Sequence, residues 1–363
     1  MSSASRQRDR AIATAIERWF ASNARDFPWR TTPRNPYYAL VSEAMLLQTQ
    51  ASRIALRFPV FIDRFPTIES LACADEQDVL AQWSGLGYYR RAKNLHRAAQ
   101  QVVDHHGAVV PSDVAALRRL PGVGRYTAGS IASIAFDEPA PIVDGNVVRV
   151  LLRIEGKDLP PAETSTMNLL WERAEALVRC ADSPALFNEG LMELGATACT
   201  LNSPRCSGCP VRTRCKAKRQ GAQQRIPRPK PRPRQTTMHA ASVVIRDARG
   251  RTLIEQRDDS GMWAGLWQAP TVESGGRAPS RSAIEALAGS GPIRKIGSFE
   301  HLTTHRRFRF TVYSGPPPRR RRADQRWATA AQIAQLALAR PQMKILLGED
   351  RAQRNAGRTR SDC

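Results

Sequence analysis

Two carboxylates and four closely spaced thiols carry most of the chemistry open to this chain. Glu43 lies in Val41-Ser-Glu-Ala-Met-Leu-Leu-Gln-Thr-Gln50, among apolar neighbours at helical spacing. Burial there disfavours the charged carboxylate, raises its pKa and leaves a proton to donate; a Glu stabilised by a helix dipole has the same composition. Asp144 lies in Pro141-Ile-Val-Asp-Gly-Asn-Val-Val-Arg-Val150, where an Asp before an apolar periodic run is also an ordinary N-cap. The thiols run Cys199-x6-Cys206-x2-Cys209-x5-Cys215. Such spacing lets four thiolates surround one tetrahedral zinc or one cubane iron-sulfur cluster, and the residue types alone choose neither. Cys73, Cys180 and Cys363 stand apart and read as two buried small residues and a tail thiol.

The run Leu120-Pro-Gly-Val-Gly-Arg-Tyr-Thr-Ala-Gly129 places Gly122 and Gly124 between helical stretches. Glycines there allow a tight turn, and the amides beside the following helix N-terminus suit an anion. This Leu-Pro-Gly-Val-Gly turn resembles a helix-hairpin-helix, a module that grips a DNA phosphate without reading sequence. The charge balance agrees: 55 Lys and Arg against 33 Asp and Glu leave +22, which suits a polyanionic partner.

Length and composition set the frame that must hold these residues. A chain of 363 residues predicts two or three domains, and 42% hydrophobic with 24% charged residues is the balance of a soluble globular protein. No apolar stretch approaches a membrane span and no apolar region follows the polar first ten residues, so a cytoplasmic, nucleoid-associated protein without a membrane partner is expected. Clustered cysteines in a chain of this size point to a metal site in a reducing compartment.

Along the chain, residues 8–198 read as short helices, starting with the stripe Ile12, Ile16, Trp19 and Phe20. Turn signals fall at Asn35-Pro36, Phe65-Pro66, Val110-Pro111-Ser112 and Ser183-Pro184. From Arg205 to Arg234 there are eleven basic residues and no acidic one, and Ile226 to Arg234 alternates proline with charge, which reads as a semi-rigid linker. Beyond it the period shortens. Residues 241–245 and 252–256, around the Asp247-Ala-Arg-Gly250 turn, predict a hairpin, Phe308, Phe310 and Val312 alternate, and residues 283–287 and 328–338 read helical. The expected architecture is a multidomain chain: an all-α domain over 8–225 containing the cysteine loop 199–215, a linker over 226–237, a smaller α+β domain over 238–348 and a basic tail over 349–363.

Five motifs in order then resemble a known family: the Glu43 segment, Gly85-Leu-Gly-Tyr-Tyr-Arg-Arg-Ala-Lys-Asn-Leu-His96, the Leu120 hairpin, Val143-Asp-Gly-Asn-Val147 and the four-cysteine spacing. Together they resemble the adenine DNA glycosylases of the helix-hairpin-helix superfamily. Gly261-Met-Trp-Ala-Gly-Leu-Trp-Gln-Ala-Pro270 is similar to the Nudix-like domain that follows in that family. The resemblance implies a base excision enzyme that removes adenine mispaired with 8-oxoguanine or guanine from double-stranded DNA after extruding it. Glu43 then matches the general acid and Asp144 the carboxylate that stabilises an oxocarbenium-like sugar. Asn146 matches a residue orienting water and carboxylate, and Trp29 and Arg30 match the adenine pocket. Gln48, Thr49, Leu86, Tyr88, Gly122 and Gly124 match DNA-contacting positions, with Gln48 and Tyr88 entering the stack when adenine leaves. The cysteines imply a [4Fe-4S] cluster, and a monomer is expected.

Three departures bear on these roles. Tyr126 stands where the lyase members of the superfamily, such as endonuclease III, carry a lysine; a phenol forms no imine, so little lyase activity is expected. Leu46-Leu-Gln-Thr49 replaces the family's Leu-Gln-Gln-Thr, removing an amide. Where the family reads 8-oxoguanine with a Phe-Ser-His loop, this chain has Thr303-Thr-His305, so Thr304 and His305 keep the polar groups while the aromatic is lost. Competing readings are an endonuclease III-like or thymine-mismatch glycosylase, a non-catalytic iron-sulfur DNA-binding protein and a Nudix pyrophosphatase. The last lacks the Arg-Glu-x-x-Glu-Glu carboxylates that hold Mg²⁺.

Overall fold

The stripe of Ile12, Ile16 and Phe20 lies buried on a single helix, Ser3–Asn23, in the computed structural model. The structure describes residues 3–228 and 235–348. The tail expected over 349–363 and the centre of the expected linker lie outside them. Contacts divide the chain into two units, Met1–Cys73 with Asn94–Pro231 and Ala74–Lys93 with Arg232–Cys363. The stretch Ala74–Lys93, inside the range read as the helical domain, thus groups with the second unit.

Several of the turn signals act as helix caps in the first unit. Asn35 accepts from the amides of Tyr37 and Tyr38, with Pro36 opening the helix Pro36–Leu46. Ser183 accepts from Leu186 ahead of the helix Pro184–Thr197, again with proline in the first turn. Asp144 accepts from the amide of Val147 at 2.7 Å and starts the helix Gly145–Glu155. That helix and Pro184–Thr197 pack with Ser3–Asn23 around a core including Ile16, Leu151, Phe187 and Leu191.

A buried ionic cluster ties this core to the segment after Cys215. Asp9, fully buried, accepts two 2.6 Å bonds from Arg173. Arg173 also meets Glu155, which is joined by Arg8 and Lys216. Burial would raise the Glu155 pKa, but Lys216, Arg173 and Arg8 outweigh it and hold it near 2, below the usual 4.5. A depressed carboxylate pKa stabilises the fold fully above 4.5, and this stabilisation fades as pH falls towards 2. Glu155→Gln is therefore expected to lower the melting temperature at pH 7, with the gap to wild type narrowing on acidification. A gap of constant size in parallel melts would contradict this.

The second unit holds two sheets. One has the order β4-β1-β6-β5, formed by β1 (Thr236–Ile245), β4 (Thr271–Gly275), β5 (Arg294–Leu302) and β6 (Arg306–Gly315). The other has the order β3-β2-β7, formed by β2 (Thr252–Gln256), β3 (Trp267–Gln268) and β7 (Gln325–Ala328). Phe308, Phe310 and Val312 alternate inward on β6 as their spacing requires.

The expected hairpin of residues 241–245 and 252–256 does not form. β1 pairs with β4 on one side and runs parallel to β6 on the other, so both its edges are filled. β2 crosses to the second sheet, and a lone bridge between Arg246 and Thr252 closes the Asp247 turn. The helical reading of 328–338 shortens to Ala330–Ala334, because Ala328 ends β7. Within the same unit the 74–93 stretch is anchored by Tyr89, whose hydroxyl donates to the Leu338 carbonyl at 2.8 Å, and by Lys93, paired with Glu76 and Asp259.

Candidate active site

A cavity of about 760 Å³ in the first unit gathers Trp29, Arg30, Glu43, Gln48, Thr49, Tyr126, Asp144 and Asn146. Its size falls in the range of small-molecule sites. Two elements place its carboxylates and a third their hydroxyl neighbours: Pro36–Leu46 carries Glu43, Asp144 caps Gly145–Glu155, and Arg125–Phe136 carries Tyr126 and Ser130. Gly129 makes their approach possible, since a Cβ there would stand 2.2 Å from the Pro141 carbonyl oxygen. Any side chain would push the Pro141–Asp144 strand of backbone away from the Tyr126 helix.

Glu43 is only 5% exposed. Its Oε1 accepts from the Ser130 hydroxyl at 2.9 Å, while Oε2, also buried, has no hydrogen-bond partner among the described residues. Burial pushes the carboxyl up to about 7; Ser130 and Tyr126 pull it down, and the charges of Asp144 and Glu189 push it up. Tyr126 lies close to Glu43, but its hydroxyl donates to Met192 Sδ at 3.2 Å. Burial and then the two neighbouring carboxylates raise the phenol's pKa well above its usual value, so it stays protonated. Asp144 is also raised by burial, against which the amides of Val147 and Asn146 and the Asn146 side chain hold its charge. Asn146 donates to Asp144 Oδ2 at 3.2 Å and accepts from Arg149, which in turn donates to the Cys199 carbonyl at 2.8 Å. The guanidinium thus joins the carboxylate's partner to the start of the cysteine loop.

Around the expected Trp29 and Arg30 the pocket rim adds Phe27, Arg25, Arg34, Glu189 and Glu193, which sequence reading passed over. Trp29 stacks on Phe27 at 4.6 Å with its plane tilted by 10°. Arg30 bridges Glu189 at 2.9 Å and Glu193 at 3.1 Å, Arg34 pairs with Glu189, and Arg25 with Glu193. Glu189 and Glu193 stand one helical turn apart among buried apolar residues of Pro184–Thr197, a pattern that signals a charge-paired site. Among the described residues no lysine lines the cavity. Gln48 is exposed and held at φ 61, a left-handed conformation that a non-glycine residue adopts at a cost.

The remaining matched positions lie elsewhere. Gly122 has φ +79 and an ideal Cβ would meet Asn94 at 2.7 Å; Gly124 precedes Arg125–Phe136, and both glycines are exposed. In the second unit Leu86 is buried, whereas Tyr88 is 49% exposed at φ 47. The Tyr88 hydroxyl lies 2.8 Å from Thr304 Oγ1. Thr304 and His305 occupy the exposed turn between β5 and β6, where Thr303 closes the turn onto Arg306.

Cys199, Cys206, Cys209 and Cys215 surround one cavity between the helices Pro184–Thr197 and Lys216–Arg219. Among the described residues no three His, Cys, Asp or Glu side chains converge closely enough to hold a single ion. Four cysteine side chains lining one cavity are the donor set that a [4Fe-4S] cluster takes. Arg153, Arg205, Arg212 and Lys218 line the same cavity, and Arg153 donates to Cys199 Sγ at 3.3 Å, so positive charge is in place for bound thiolates. Burial pushes the Cys209 thiol up to about 12, with the other three cysteines adding to the rise. The residues fit the implied [4Fe-4S] group.

Two family models match the chain: "HhH-GPD superfamily base excision DNA repair protein" over residues 41–176, and "NUDIX domain" over 241–348. The adenine DNA glycosylase of Rattus norvegicus is 32% identical over 404 residues, covering 93% of this chain and 78% of the relative. That of Homo sapiens is 33% identical, covering 84% and 68%. The solved structure of a thermostable thymine-DNA glycosylase superposes with a TM-score of 0.54 at 30% identity, covering 60% of this chain and 99% of that one. Among the described residues no helix is long and apolar enough to cross a membrane. With a helical glycosylase domain, a Nudix-like α+β domain and this similarity over nearly its whole length, the chain belongs to the adenine DNA glycosylase family and is a base excision DNA N-glycosylase.

Proposed function

We propose that the enzyme hydrolyses the bond between adenine and deoxyribose where adenine faces 8-oxoguanine or guanine in duplex DNA. The observation that carries this reading is Glu43, buried, pushed up to about 7 and left with one buried oxygen unpartnered among the described residues, lining one cavity with Asp144. An extruded adenine presents its N7 to Oε2, and transfer of the Glu43 proton there lets the base take the glycosidic electron pair and leave. Asp144 stabilises the cationic sugar, held in place by its helix cap and by Asn146. Water then adds at the anomeric carbon and releases its proton to the regenerated carboxylate.

Trp29 offers a stacking face, and Arg30 with Glu189 supplies donors and acceptors for the base edge. Tyr126 fills the position beside the sugar without offering an amine, so strand cleavage is weak or absent. Gly122, Gly124 and Thr49 contact the backbone, and Gln48 and Tyr88 fill the vacated stack. Thr304 and His305 read the 8-oxoguanine, with a preference over guanine reduced by the missing aromatic at Thr303. Cys199, Cys206, Cys209 and Cys215 would hold a [4Fe-4S] group, which would order the basic loop for contact with DNA. The protein acts as a monomer where the chromosome lies.

Purified protein is given duplexes bearing adenine opposite 8-oxoguanine, adenine opposite guanine, thymine opposite guanine, and oxidised pyrimidines, and abasic sites are revealed with alkali. Excision of adenine from the first two supports the reading. Excision confined to thymine or pyrimidine lesions contradicts it.

A further inference from the structure

We propose that Ser130 is a positioning residue that fixes which oxygen of Glu43 carries the transferable proton. The inference rests on the reading of Glu43 as general acid and assigns a role to a side chain outside the matched motifs.

A serine inside a helix normally turns its hydroxyl back to a carbonyl of the preceding turn. Ser133 does so, donating to Gly129 at 2.7 Å. Ser130, fully buried on the same helix, instead donates across to Glu43 Oε1 at 2.9 Å. Alanine would suit both the helix and the apolar packing better, so the hydroxyl serves the carboxyl it touches.

In a neutral carboxylic acid the carbonyl oxygen is the good acceptor and the hydroxyl oxygen the donor. So long as Ser130 donates to Oε1 and does not accept from it, Oε1 is the carbonyl oxygen and the proton sits on Oε2. Oε2 has no partner at hydrogen-bond geometry among the described residues, Tyr126 being near enough to lower the Glu43 pKa but turned to Met192, and it belongs to a residue that lines the cavity. Were the hydroxyl of Ser130 absent, the proton could sit on either oxygen, and part of the protonated enzyme would present the wrong one.

The same bond stabilises the ionised form, so its loss moves the Glu43 pKa upward. The other groups facing Glu43 stay in place: Tyr126 on the Ser130 helix, Asp144 at the next helix cap, Glu189 and Glu193 on Pro184–Thr197, and Arg25, Arg30 and Arg34 before Pro36. A general acid works only while protonated, so the rate falls as pH rises through its pKa.

The test is the pH profile of single-turnover adenine excision for wild type, Ser130→Ala and Ser130→Thr, with melting temperature and DNA affinity measured alongside. Ser130→Ala is expected to lose about 3- to 10-fold in maximal rate, the scale of a single hydrogen bond, with its descending limb moved to higher pH and its affinity unchanged. Ser130→Thr, which keeps the hydroxyl, is expected to restore the position of the limb. An unchanged profile in Ser130→Ala, or a uniform loss at every pH with the limb unmoved, overturns the proposal. Glu43→Gln separates the two levels: if it excises at the wild-type rate the acid assignment itself fails, whatever Ser130 does.

Discussion

Glu43→Gln is expected to lower single-turnover excision by about 10²- to 10⁴-fold, the usual contribution of a positioned general acid. DNA affinity should stay close to that of wild type. The amide keeps the shape of the side chain and can still accept from Ser130 through its oxygen, and its NH₂ group would take the place of Oε2 without a transferable proton. Fold and pocket therefore survive, and the loss is confined to chemistry. Single-turnover rates at saturating enzyme, read beside an equilibrium binding isotherm, check both halves; a rate within a few-fold of wild type removes Glu43 from the acid's role. The pH dependence has a fixed sign. With the carboxyl pushed up to about 7, excision should be fastest below that pH and fall above it.

Replacing Cys209 with serine is expected to have the second large effect, on cofactor content and DNA binding rather than on the chemical step. The stretch from Cys199 to Cys215 contains only the short turn Cys206–Gly208 as regular structure, and Val211 supplies its deeply buried apolar contact. Arg153 ties its start through the carbonyls of Thr200 and Leu201 and Arg212 donates to the Ser207 carbonyl, and a cluster bound by all four cysteines would tie the basic residues Arg205, Arg212 and Arg214 into one arrangement. A [4Fe-4S] cluster would take all four cysteines as thiolates, so without Cys209 one iron would lack its protein ligand. The variant should carry much less iron and inorganic sulfide per chain. It should bind DNA about 10- to 100-fold more weakly, as expected when one charge-assisted contact is lost. Stoichiometric iron with full affinity in the variant would contradict this account of the loop, as would zinc in place of iron in the anaerobically purified parent.

What could be read from the sequence was local. Glu43, Asp144, Tyr126 and the cysteines sit in short motifs whose residue types already state a chemistry, and Asn35, Ser183 and Asp144 cap helices because their side chains reach amides two or three residues on. What escaped was assembled across the chain. Glu189, Glu193 and Met192 reach the pocket from a helix some 150 residues beyond Glu43, and only the packing of Pro184–Thr197 brings them there. Ser130 left a fainter signal, one helical turn after Tyr126 on the same face. The hairpin expectation failed for a related reason. Alternation marks β1 and β2 as strands, but whether neighbours in sequence become neighbours in a sheet depends on β4 and β6, which occupy both edges of β1. The grouping of Ala74–Lys93 with the second unit is equally non-local, resting on Tyr89 and Lys93 contacts to residues beyond 250.

The account stands on proton transfer from Glu43 to N7 of the departing adenine. Single-turnover excision should therefore be measured on a duplex in which adenine opposite 8-oxoguanine is replaced by 7-deazaadenine, whose position 7 is carbon and takes no proton there. The account predicts binding comparable to that of the adenine duplex with excision reduced by about 10²-fold or more. Excision of the deaza base at the rate of adenine would contradict it.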